Sequence, residues 1–169
     1  MKIELIISIV CALVAAFKWV YEYTEKLKWD KNKFLVEQIE KFQSLESTKA
    51  METLLDWNGS NVTINGEKLF VNDETLIGAF QTHDVKHKFN SIEFKLRNVF
   101  DDYFDNFTKL VFMSKVGLVE KESLVIFSEY WINILSGESK NKPRELVESI
   151  QYYLEYYEYY DLLNFIISK

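Results

Sequence analysis

The stretch IELIISIVCALVAAFKWVYEY, Ile3 to Tyr23, decides how the rest of the chain is read. From Ile3 to Val20 only Glu4, Ser8 and Lys18 are not apolar, and a helix over these residues reaches roughly 27 Å, close to the hydrocarbon thickness of a bilayer. Lys18 stands one turn from the end, where its stem can lie along lipid while the ammonium reaches the headgroups. Trp19, Tyr21 and Tyr23 follow, and such amphipathic rings favour the membrane interface. The run therefore reads as a transmembrane anchor over residues 1–23, with a juxtamembrane segment over 24–33 and a helical domain over 34–169.

Lys26, Lys28, Lys31 and Lys33 lie just behind the run, whereas only Lys2 and the amino terminus precede it. The positive-inside bias then leaves the N-terminus outside and puts the C-terminal domain in the cytoplasm, as in a single-pass protein of the inner membrane. Two other readings compete. A signal peptide cleaved after Val14-Ala15-Ala16 is opposed by Glu4 in its n-region and by the lysines behind the site. The other is a buried helix of a soluble protein. A lipoprotein reading through Cys11 is weaker, because the bulky Val10 precedes the cysteine.

The chain has 169 residues, enough beyond the anchor for one ordinary domain and hardly two. Cys11 is its one cysteine, so the domain has neither a disulfide framework nor a thiolate metal cluster. Setting aside Lys2, Lys18 and Glu4, 18 basic residues face 25 acidic ones, a net charge of −7. Nucleic-acid binding is disfavoured, since phosphate affinity rests on clustered Lys and Arg, and Arg97 and Arg144 are the only arginines.

Periodicity makes the domain mostly α, a helical bundle with one small β-hairpin at about 61–71. Leu35, Ile39, Phe42 and Leu45 recur at helical spacing over Lys33 to Glu46, with a bend expected near Trp29-Asp30, and Thr48 to Trp57 forms a second helix. NVTINGEKLFV alternates Val62/Ile64 and Leu69/Val71 about Asn65-Gly66, a dipeptide suited to a type I′ turn. Asn72-Asp73 cap a helix from about Glu74 to His83. Asn90 with Glu93 resembles a capping box opening a helix from Ser91 to Lys115, which Gly117 stops. Its core face is Ile92, Leu96, Val99, Phe100, Tyr103, Phe107, Leu110 and Val111. Another helix, Lys121 to Leu135, faces inward through Leu124, Phe127, Trp131 and Leu135. Pro143 opens a last helix extending nearly to Lys169.

The phrases ETLLDWN (Glu52 to Asn58), FDDYFDNF (Phe100 to Phe107), GLV (Gly117 to Val119) and YWINIL (Tyr130 to Leu135) resemble those of a family of small uncharacterised bacterial proteins. The resemblance covers most of Phe34 onward. It implies one N-terminal span with a helical cytoplasmic domain, and carries no activity or ligand residue with it.

Residues suited to chemistry are few. Asp101, Asp102 and Asp105 form a carboxylate cluster of the kind that can hold Mg²⁺ or move protons. Helical phase sets Asp101 and Asp105 opposite the apolar stripe, with Arg97 and Lys109 four residues away, so a solvated face of alternating ion pairs is expected. His83 and His87 have a spacing that suits a metal only on a helix, whereas their segment reads as a loop. No catalytic, cofactor-binding or metal residue is assigned. The last helix carries two apolar stripes. Leu146, Ile150, Tyr153, Tyr157 and Tyr160 make one; Tyr152, Tyr156, Tyr159, Leu163 and Ile166 make a second, the expected interface with a second copy or a protein partner. The expected function is that of a membrane-anchored, non-enzymatic interaction protein, its partners the bilayer and a protein. A small-molecule sensor signalling to the span, in stress or phage defence, is the alternative, and a metal-dependent enzyme comes last.

Overall fold

A computed structural model describes residues 2–168 of the chain. Helix α1 runs from Lys2–Ser44 without interruption, since no glycine or proline falls within it. It continues as helix through Trp29 and Asp30, where a bend is expected from the sequence. The chain turns at the extended Leu45 into α2 (Glu46–Asp56), then forms strands β1 (Ser60–Ile64) and β2 (Glu67–Val71). Helices α3 (Asp73–Ala79), α4 (Ser91–Lys115), α5 (Lys121–Ser136), α6 (Arg144–Tyr156) and α7 (Tyr160–Ile167) follow.

The hairpin pairs β1 antiparallel to β2, Val62 opposite Leu69, and its turn places Asn65 and Gly66 at φ 52° and 77°, as a tight primed turn requires. Val62, Ile64, Leu69 and Val71 are buried against the helices while their neighbours face out. Two strands acquire stability only through such packing.

Helix α4 is the centre of the bundle and touches α1, α2, α3, α5 and α7. Its N-terminus carries a complete capping box: Asn90 accepts from the N–H groups of Ile92 and Glu93, and Glu93 accepts from the N–H of Asn90. The expected face is buried apart from the half-covered Ile92, and Phe104 joins it as a fully buried ring. Phe80 stacks on Phe100 with centroids 3.9 Å apart, and Phe42 lies 5.4 Å from Tyr103 and 5.8 Å from Phe107. Burial of each such ring contributes roughly 1.5–3 kcal/mol. Helix α3 ends at Ala79, short of His83, with Phe80 as its buried C-cap residue.

Two faces differ from expectation. Helix α5 buries Leu124, Ser128, Ile132, Ile134 and Leu135 and leaves Phe127 and Trp131 only partly covered, so it is rolled relative to the predicted stripe. The Ser128 hydroxyl tolerates burial by donating to the Leu124 carbonyl at 2.7 Å. The last helix is not one helix. It ends at Tyr156, and the N–H groups of Tyr159 and Glu158 return to the carbonyls of Leu154 and Glu155 at 2.8 and 3.1 Å, the paired bonds of a Schellman motif. Glu158, with φ 62°, takes the left-handed position where glycine is usual. Gly117 fills the same role after α4, with Leu118 bonded back to Met113 at 2.9 Å.

From Ile3 through Trp29 every residue of α1 is exposed. None of its most apolar window is covered by the domain, whereas Leu35, Ile39 and Phe42 belong to the core. Within this fold the run is not a core helix: α1 is one helix long and apolar enough, by length and composition, to cross a membrane.

Candidate functional site

Arg97 lies one turn into α4 beyond the capping box, where the predicted phase made it a surface partner of Asp101. It is instead buried, at 8 % exposure. The segment after α3 closes over it, and its Nη1 donates to the carbonyls of Ala79 (2.9 Å) and Gln81 (2.6 Å) while Nη2 donates to the Tyr157 hydroxyl (2.6 Å). Its guanidinium carbon stands 4.4 Å from the Phe89 ring, 5.2 Å from Tyr153 and 5.6 Å from Tyr157. Carbonyl oxygens and ring faces thus hold the cation, and no ion pair among the described residues involves Arg97.

The aspartates are likewise not in the expected ion pairs. Asp101 accepts from the hydroxyl of Tyr153, Asp105 from that of Tyr159 at 2.8 Å, and Asp102 from that of Ser47. Lys109 bonds Asn106 at 3.1 Å instead of Asp105. The alternating-charge face is therefore a row of carboxylates that accept hydroxyls from α2, α6 and the link between α6 and α7. Phase alone could not show this, because it locates a side chain on its own helix and says nothing of what another element brings to it.

Around Arg97, Asp101 and Asp105 is a groove of about 510 Å³ between the polar side of α4 and the α6–α7 break, walled by His83, Phe89, Phe94, Tyr157 and Tyr159. Burial first, then the bond to Asp101, holds the Tyr153 hydroxyl well above its usual pKa; burial and then Asp105 do the same to Tyr159. Both phenols stay protonated as donors, so neither supplies an oxyanion for nucleophilic chemistry. The groove is lined by one arginine, two aspartates and aromatic rings.

No protein-family description, no curated protein and no solved structure matches this chain.

The histidines do not converge. His87 Nε2 lies 3.0 Å from Glu93, in room left by Gly78, whose missing Cβ would collide with the Glu93 carboxylate. The His83 ring packs edge-on to Phe89 and Tyr157. Among the described residues no three His, Cys, Asp or Glu side chains gather as a metal site would require.

The second tyrosine stripe is divided by the helix break. Tyr152 and Tyr156 stay exposed on α6, Tyr152 donating to Asp84 at 2.8 Å. Tyr159 and Leu163 are half-buried against the core, and Ile166, at 1 % exposure, is inside it. Ile166 thus has no surface to offer a partner in this fold. Sequence reasoning also passed over Lys142, lost in the polar loop GESKNK. Its buried ammonium donates to the Trp57 carbonyl, Asn58 and Asp73 at 2.8, 3.1 and 2.7 Å, clamping the loop before α6 to the end of α2 and the start of α3.

Proposed function

We propose that the chain is a single-span membrane protein, N-terminus out, whose cytoplasmic helical domain acts as a non-enzymatic interaction module of the scaffold, adaptor or effector kind. What carries the reading is the division of α1. Its apolar part is wholly uncovered by the domain, while the bundle core is closed by residues from Leu35 onward. So much exposed apolar surface on one helix calls for a covering phase, and a bilayer supplies it. The lysines at 26, 28, 31 and 33 support the orientation. Tyrosine hydroxyls kept as donors to the aspartates support binding over catalysis.

The test is fractionation. Full-length protein should sediment with membranes and resist carbonate extraction, and a chain beginning near Lys31 should be soluble and folded. Full-length protein that stays in solution without detergent removes the anchor. A second reading, a domain that senses a small molecule and signals to the span, draws support from the groove at Arg97 and from the unbroken helix joining domain to span.

A further inference from the structure

We propose that the groove at Asp101 and Asp105 captures a basic side chain, a lysine or arginine presented by a segment of a partner protein; the inference rests on the reading of the domain as an interaction module. Each carboxylate has one oxygen committed to a tyrosine hydroxyl, from Tyr153 and Tyr159, and neither takes part in an ion pair among the described residues. The remaining oxygens, one helical turn apart, are acceptors for a cation. Arg97 does not satisfy them, since its bonds go to two carbonyls and Tyr157. It shows instead what these walls accept: a guanidinium already rests against Phe89 and Tyr157.

Phe94, 63 % exposed at the groove, offers an apolar face for the aliphatic stem of a lysine or arginine. A volume of about 510 Å³ admits such a side chain with part of its backbone. Charge complementarity selects the occupant. Two aspartates against one arginine leave the groove negative within a domain that is itself acidic, so an anion is repelled and a basic segment is steered in.

The experiment uses the full-length protein in non-ionic detergent and a fluorescein-labelled peptide of alternating arginine and glycine, followed by anisotropy. Expected is saturable binding, at least tenfold weaker when citrulline, the neutral isostere, replaces arginine. Asp101→Asn with Asp105→Asn should weaken binding at least tenfold, while Asn still accepts the tyrosine hydroxyls. Glu122→Gln with Glu129→Gln removes equal charge from the exposed side of α5 and should leave binding unchanged. Phe94→Ala should weaken it several-fold, and decides the matter if the aspartate variant fails to fold. Absent binding, equal binding of the citrulline peptide, an unaffected aspartate or Phe94 variant, or equal loss in the glutamate variant overturns the proposal. Free arginine competing as well as the peptide overturns the protein partner. Membrane fractionation is indifferent to all these results, so failure here and failure of the anchor are told apart.

Discussion

The Nη2 of Arg97 donates to the Tyr157 hydroxyl at 2.6 Å, joining an early turn of α4 to the residue at which α6 stops. The same guanidinium holds the carbonyls of Ala79 and Gln81, so three segments distant in sequence meet on one side chain. Arg97→Ala leaves those acceptors without their donor inside the protein, and should cost on the order of 3 kcal/mol. Tyr157→Phe removes one bond, keeps the ring, and should cost about 1 kcal/mol. Urea unfolding of the chain beginning near Lys31, followed by circular dichroism, checks both; equal costs would mean that the carbonyl bonds contribute nothing.

Glu158 occupies a left-handed position without being glycine. Glu158→Gly should stabilise the domain by roughly 0.5–1 kcal/mol, since relief of the Cβ strain outweighs the added freedom of the unfolded chain. A lower melting temperature would show that the Glu158 side chain makes a compensating contact.

Glu52 has an inward oxygen without a hydrogen-bond partner, as do Thr48 and the fully buried Tyr103. Burial raises the Glu52 pKa above its ordinary 4.5. The sign follows from linkage: the stability tied to the protonated form is fully present below pH 4.5 and is lost as pH rises through the higher folded value. Glu52→Gln should therefore melt higher than the natural protein at pH 7, with the gap closing as pH falls below 4.5. A gap that does not vary with pH would mean that Glu52 ionises freely.

Tyr152 and Tyr156 are the members of the second stripe left open to a partner, and changing both to Ser should alter stability by less than about 1 kcal/mol. Ile166→Ala should cost roughly 2–5 kcal/mol as a core truncation. If the exposed pair meets a second copy, sedimentation of the full-length protein in detergent will show the double variant smaller yet folded. Unfolding of that variant would place both rings in the core.

Helix order, the hairpin and the capping box at Asn90 were legible because each has a local chemical signature: apolar spacing, Asn65-Gly66, and an Asn three residues before a Glu. The break at Tyr157 had none. Helix ends are usually marked by glycine or proline, and here the turn is made by Glu158, so a straight helix was extrapolated and its second stripe ran on into residues that are core. Of the groove, the aspartates were legible as residues but not in their role. Arg97 reads as solvated because the segment that buries it, Gln81 to Phe89, has no periodicity from which its path could be read. Lys142 was hidden likewise, since its partners stand at Trp57, Asn58 and Asp73, far away in sequence.

Helix α1, at 43 residues about 64 Å long, has no break between its uncovered apolar stretch and the stretch that carries Phe42. Phe42 is wedged against Tyr103 and Phe107. The helix is therefore a shaft keyed into its hub: torque or thrust on its far end meets no slack tether and is delivered to the rings of α4. The reverse holds as well, so a load that shifts α4 turns or draws on the shaft.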